Sequence, residues 1–231
     1  MSLAGQRFHA SDGAEIGIYR AAPSDGGPHP GLIVFPSIFG VTEELEQHAN
    51  EIARTGALVL ALDPFARVED SGGLAEVDRE RAFKRMGAVD FARVNQDFRE
   101  LLAALKQDQH CNGRVVGLGI CLGGGFVWNA AADGELQGVA TWHGSRMGSV
   151  MDRAADLGCP VIMDFGDEDP VVPPEEIEKI QNACKVIDRC VIRVHRGAGH
   201  GFSHTGWDDH RPGVMAIARP DLEKMLAELR G

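Results

Sequence analysis

The 231-residue sequence predicts an α/β fold in which a mostly parallel central sheet carries helices on both faces and begins with an N-terminal edge hairpin. Three observations carry that prediction. Short apolar runs rich in β-branched residues alternate with longer amphipathic stretches, the pattern of repeated strand–helix units. The chain is 44% apolar, enough at this length for a large single core. The residues that bear chemistry follow strands, where open parallel sheets bind ligands.

Taken in order, Gln6 to Ala10 and Glu15 to Ala21 flank Asp12-Gly13 and form the hairpin. Strands follow at Gly31 to Phe35, Ala57 to Asp63, Val115 to Ile120, Gly138 to Trp142, Val161 to Phe165 and Cys190 to His195. Helices are predicted over Glu43 to Arg54, Leu74 to Ala88, Asp90 to Gln107, Leu122 to Ala132 and Pro174 to Ile187, with a final run ending at Leu229. The breaks at Pro23 to Pro30 and Ser71-Gly-Gly73 are short enough for surface loops, and no linker, repeat or low-complexity tract interrupts residues 1–231, which read as one domain. Met1-Ser-Leu3 reads in part as an expression remnant.

The segment Arg114-Val-Val-Gly-Leu-Gly-Ile-Cys-Leu-Gly-Gly-Gly125 places one cysteine on the turn between a buried strand and a helix of small residues. That is a nucleophile elbow, in which Gly119 and Gly123 relieve Cβ clashes as strand and helix close together. The helix start directs N–H groups and a positive dipole end at the turn, lowering the Cys121 thiol pKa. A cysteine is more often an inert core thiol, but the elbow reverses that weighting. A dinucleotide fingerprint competes through Gly117-Leu-Gly119 and fails at its last glycine, where Leu122 stands.

A nucleophile needs a base, and the base needs an orienting acid. Asp169 lies in the Phe165-Gly-Asp-Glu-Asp169 turn after a strand, with Asp167 and Glu168 read as turn residues. His200 lies in Val191-Ile-Arg-Val-His-Arg-Gly-Ala-Gly-His-Gly-Phe202, flanked by glycines beyond another strand. His195 sits within that strand, and His9, His29, His48, His110 and His210 lack a glycine turn or an acid in the required chain order.

With Phe35-Pro-Ser-Ile-Phe-Gly-Val41, Asp63-Pro-Phe-Ala-Arg67, Gly119-Ile-Cys-Leu-Gly-Gly124, the acid turn and Gly199-His-Gly-Phe202, the chain resembles the dienelactone hydrolase family of the α/β-hydrolase fold over almost its whole length. The resemblance implies a triad of Cys121, Asp169 and His200, and an oxyanion hole made by the backbone N–H groups of Ile38 and Leu122. Ser37 stands where dienelactone-cleaving members carry a glutamate that engages the thiol, and His204 where they carry a carboxylate-gripping arginine. The other family arginine corresponds to Arg79, or to its neighbour Arg81, a segment that reads equally as a solvated helix face. Without the glutamate, Cys121 is expected to pair directly with His200 and rest as a thiolate. The Trp142-His-Gly-Ser145 segment after its strand is a candidate lining of the acyl pocket, as the corresponding region is in similar hydrolases, with Trp142 reading equally as core; Phe39, Phe65 and Phe202 are further candidate walls, whose apolar character favours a small hydrophobic or unsaturated acyl group.

The expected activity is hydrolysis of a small carboxylic ester or lactone through an acyl-thioenzyme. A thioesterase or other thiol hydrolase would use the same triad, and a non-catalytic redox-sensing member of the fold remains the other class. No cofactor or metal is called for, since Cys111, Cys159, Cys184 and Cys190 show no zinc-type spacing with histidines. A formal charge of −11 weighs against nucleic acid and anionic membranes as partners. No stretch approaches the roughly 18 apolar residues of a membrane helix, and the odd count of five cysteines fits a reducing compartment. A cytoplasmic monomer or small homo-oligomer acting on a small molecule is therefore expected.

Overall fold

The computed structural model describes residues 7–230; Met1-Ser-Leu3 and the first residue of the expected hairpin lie outside them. The chain divides into two compact units, residues 1–115 with 229–231, and residues 116–228.

The first unit holds strands β1 (Arg7–His9), β2 (Glu15–Ala21), β3 (His29–Phe35) and β4 (Leu58–Leu62) in the order β1-β2-β4-β3. The β1–β2 pair is the antiparallel edge hairpin, with Phe8 opposite Ile16, and β2 continues antiparallel onto β4. β3 and β4 are parallel, Leu32 opposite Val59. Every residue of β3 and β4 is buried, as expected of strands covered on both faces.

Helix α1 (Glu43–Arg54) begins where the Thr42 side chain accepts the Leu45 N–H at 3.4 Å, with three glutamates in its first turn and Arg54 at its end. Both charge placements complement the helix dipole. Leu45, His48, Ala49, Ile52 and Ala53 form its buried stripe. α2 (Arg79–Met86) is shorter than the periodicity predicts. The Leu74 N–H donates to the Phe39 carbonyl at 2.8 Å, which holds the start of the segment outside the helix, and a 3-10 turn over Glu76–Asp78 leads in. α3 (Phe91–Gln107) starts at Asp90, whose carboxylate accepts from the Ala92 and Arg93 amides. Tyr19, Phe35, Phe65 and Phe98 fill this core, with Phe98 edge-on to Phe35 at 5.6 Å.

β5 (Cys111–Ile120) starts in the first unit and ends in the second, where β6 (Gly138–Trp142), β7 (Val161–Gly166) and β8 (Cys190–His195) follow it in that order, all parallel. The eight strands make the mostly parallel sheet of the α/β-hydrolase fold. α4 (Gly124–Ala132) follows a 3-10 turn over Cys121–Gly123 rather than starting at Leu122. α5 (Pro174–Ala183) passes into a 3-10 turn at 184–186, short of the expected end, because Ile187 is already extended. α6 (Pro212–Ala227) closes the unit. Two 3-10 turns between residues 147 and 156 are absent from the periodicity reading. Trp128, Trp142, Phe165 and Phe202 are fully buried in this core. Among the described residues no helix is long and apolar enough to cross a membrane.

Candidate active site

The second unit builds the site from three strand ends. β5 stops at Ile120, and Cys121 takes φ +51°, a left-handed conformation that a side chain with a Cβ rarely adopts. The turn is tight enough that a Cβ at Gly119 would lie 2.6 Å from the Gly123 carbonyl oxygen and the Gly124 Cα. Cys121 is buried, and its carbonyl accepts the Ser145 N–H at 2.9 Å, tying the elbow to the loop after β6.

Asp169 stands in the loop after β7. Its Oδ1 accepts the Val171 and Val172 amides at 2.7 and 3.1 Å, and its Oδ2 accepts from His200 Nδ1 at 2.7 Å. The neighbouring Asp167 carboxylate accepts the Gly197 N–H at 2.6 Å, and the Glu168 N–H donates to the Ala198 carbonyl at 3.0 Å, so the acid loop and the histidine loop are fastened together. A Cβ at Gly166 would fall 2.0 Å from the Ala198 carbonyl oxygen, which explains the glycine in the acid turn.

His200 Nε2 lies 3.0 Å from Cys121 Sγ. Cys121, His200 and Asp169 thus form one continuous chain of hydrogen bonds. Burial pushes the Cys121 thiol pKa up, but the His200 hydrogen bond and charge, the Ser145 hydroxyl and the Leu122 amide outweigh it, and the net shift is downward. Burial opposes the charged form of His200, yet Asp169 and Cys121 raise its pKa to about 10. Both shifts favour a resting thiolate–imidazolium pair.

The Trp142-His-Gly-Ser145 segment, read from sequence as a lining of the acyl pocket, brings two more residues to this rim. Ser145 Oγ is 3.7 Å from Cys121 Sγ. His143, fully buried at φ +41°, packs edge-on to His200 at 4.8 Å and to Phe202 at 4.9 Å, with its Nε2 2.7 Å from Ser203 Oγ. Burial, together with the nearby His200 and His204, pushes its pKa far below the usual value. β5 and β6 pair with Ile120 opposite Trp142, so the residues after each strand share one rim.

Of the proposed substrate contacts in this unit, Phe202 is in the buried cluster around His143, His204 is buried and stacked on Trp207 at 4.1 Å, and Trp142 is fully buried at the end of β6. In the first unit, Ser37, Ile38 and Phe39 are buried just after β3. Ser37 Oγ accepts the Phe39 N–H at 3.3 Å, and the Ile38 carbonyl accepts from Arg85 at 3.0 Å. Arg79 pairs with Glu76 at 3.3 Å and Arg81 with Asp70. Arg81 also lines an open cleft of about 610 Å³ with Lys84 and Arg85. Both arginines therefore have acidic partners of their own.

The fold is that of the α/β-hydrolases, and its strained cysteine elbow after β5 stands beside a histidine and an acid from the loops after β8 and β7. The chain belongs to the dienelactone hydrolase family, whose family model matches residues 16–221. A curated relative from Methylorubrum extorquens, provisionally named carboxymethylenebutenolidase, is 30% identical over 224 residues, covering 92% of this chain and 75% of the relative. Carboxymethylenebutenolidase of Pseudomonas putida is 23% identical over 233 residues, covering 100% and 98%. A crystal structure provisionally described as a dienelactone hydrolase from Klebsiella pneumoniae has the same fold, with a TM-score of 0.84 at 23% identity, covering 96% of this chain and 98% of the other.

Proposed function

We propose that this protein hydrolyses small carboxylic esters or lactones by thiol catalysis, with Cys121 as nucleophile, His200 as general acid and base, and Asp169 as the orienting acid. The family and its carboxymethylenebutenolidase relatives support the ester or lactone class. The observation that carries the finer reading is His200, 3.0 Å from Cys121 Sγ on one side and 2.7 Å from Asp169 on the other.

The Cys121 thiolate adds to the carbonyl carbon, forming a C–S bond while the carbonyl electron pair moves to oxygen, where the Leu122 N–H at the helix start stabilises it. The tetrahedral adduct collapses and expels the alkoxide, which takes the proton from His200 Nε2 and leaves an acyl-thioenzyme. Neutral His200 then takes a proton from water, hydroxide displaces the thiolate, and the carboxylic acid departs. Asp169 keeps Nδ1 protonated throughout, so Nε2 always faces the sulfur. Because one family match runs through both compact units, residues 1–231 are taken as one catalytic domain.

His204 offers no planar fork for a carboxylate, and its ring is stacked on Trp207. This favours substrates without the carboxylate that an arginine there would clamp. The test is p-nitrophenyl acetate hydrolysis by the wild type and Cys121→Ala, with the protein mass taken during turnover. Activity and an acetyl adduct that are both lost in the variant support the mechanism, and equal activity in the two proteins overturns it.

A further inference from the structure

His143 is an expensive residue for a core. Its side chain is fully buried and its Nδ1 has no hydrogen-bond partner among the described residues, an omission that costs about 1–3 kcal/mol. Its backbone sits at φ +41°, a second cost of about 1–3 kcal/mol. A core selected for packing alone would carry an apolar side chain here. The Ser203 hydroxyl already occupies Nε2 at 2.7 Å, leaving Nδ1 as the available donor atom. Cys121, His143 and His200 each offer one ligand atom, and all three atoms lie within 4.8 Å of one another.

We propose that Cys121, His143 and His200 bind a borderline-soft divalent cation, zinc being the type, which occupies the thiol and switches hydrolysis off reversibly. One thiolate and two imidazoles match zinc in ligand type, and Ser203 supplies the outer contact that orients a metal-bound histidine. Tetrahedral bonds of about 2.0–2.3 Å place ligand atoms roughly 3.5 Å apart. The Cys121–His200 separation of 3.0 Å and the 4.8 Å limit bracket that spacing, so side-chain adjustments of about 1 Å complete the site, with a fourth position left to water. The ion bonds to the thiolate sulfur and displaces the proton at His200 Nε2, so the thiol is neither nucleophilic nor open to oxidants while the metal is bound. The switch rests on the hydrolytic reading above, but metal binding is read separately from turnover, so failure of one is distinguishable from failure of the other.

The experiment is a titration of the full, reduced chain with Co²⁺ as a spectroscopic stand-in for zinc. One equivalent should produce a thiolate-to-cobalt charge-transfer band with the intense visible bands of a tetrahedral ion, and Zn²⁺ should displace it. Cys121→Ser should lose the charge-transfer band, and His143→Ala should bind at least about tenfold more weakly. Zn²⁺ should inhibit p-nitrophenyl acetate hydrolysis in the same concentration range, with recovery on chelation. No band in the wild type, or unchanged affinity in a folded His143→Ala, would overturn the proposal. If His143→Ala fails to fold, imidazole-nitrogen NMR of the wild type decides: a His143 Nδ1 resonance that moves with one equivalent of Zn²⁺ supports the site, and one that stays put refutes it.

Discussion

Two glycines at the elbow, six residues apart, should respond to alanine in opposite directions. At Gly119 an added Cβ meets the Gly123 carbonyl oxygen and the Gly124 Cα at 2.6 Å and the Gly123 carbonyl carbon at 2.7 Å, whereas ordinary contact begins at 3.4 Å. All three atoms are backbone, so no side-chain rotation relieves the clash, and the strand end and helix start must part by about 0.8 Å in a close-packed interior. Overpacking of this kind costs about 1–3 kcal/mol, which for a chain of this size lowers Tm by roughly 2–12 °C. The same displacement carries Cys121 off the 3.0 Å contact with His200, and a misplacement near 1 Å costs about 100-fold in rate. At Gly125 nothing lies within 4 Å of the added Cβ, and the residue is inside α4. Alanine there should stabilise by about 0.5–1 kcal/mol and leave kcat/KM unchanged. Thermal melts, p-nitrophenyl acetate kinetics and iodoacetamide trapping of Cys121 read all three quantities. A Gly119→Ala protein with wild-type melting and turnover would refute the elbow geometry, and with it the reason for a glycine at that position.

Asp169→Asn should lower kcat/KM by about 10⁴-fold while leaving the fold intact, because an amide no longer holds His200 with its proton on Nδ1; steady-state kinetics beside circular dichroism checks this. The pH profile of kcat/KM should carry an acid limb below the ordinary thiol pKa, because the Cys121 pKa is lowered, and should fall as pH passes about 10, where His200 loses the proton it gives to the leaving group. In Asp169→Asn the alkaline limb should move to lower pH, and an unmoved limb would count against the Asp169–His200 coupling. Arg193→Met should cost about 3 kcal/mol or more, because the fully buried Asp164 loses its Arg193 partner at 2.8 Å and keeps His195 at 2.7 Å. Urea unfolding measures that loss, and kcat per folded molecule should stay near the wild-type value.

Chain order, glycine placement and strand periodicity made the line from Cys121 through His200 to Asp169 readable, because each of these residues ends or follows a strand with a strong apolar signal. β2, β6, β8 and α1 have the predicted limits for the same reason. The reading weakened where a distant backbone bond decides the local structure. The Leu74 amide bonds to Phe39, far back in the chain, and no periodicity within residues 74–88 reports that. Asp167 looked like an ordinary turn residue, yet its carboxylate fastens the turn to Gly197. Its partner lies in another loop that sequence spacing does not reveal.

His143 was read only as part of a pocket-lining segment, and strand parity is what sets it beside Cys121. Along a strand, successive side chains point to opposite faces, and the β5–β6 register sets Ile120 opposite Trp142. The next residue on each strand, Cys121 and His143, leaves the sheet at the same level, and both do so with positive φ, at +51° and +41°. Within that segment the register commits Trp142 to the core, and the residue one step further shares the rim with Cys121. The His143 N–H is held by the Asp164 carbonyl of β7 at 2.8 Å, so the sheet itself supports the unusual backbone. Slipping β6 by one residue would put a strand-type side chain at this rim and turn the polar set inward. The register, more than any single side chain, is what brings a thiol and two imidazoles within 4.8 Å of one another.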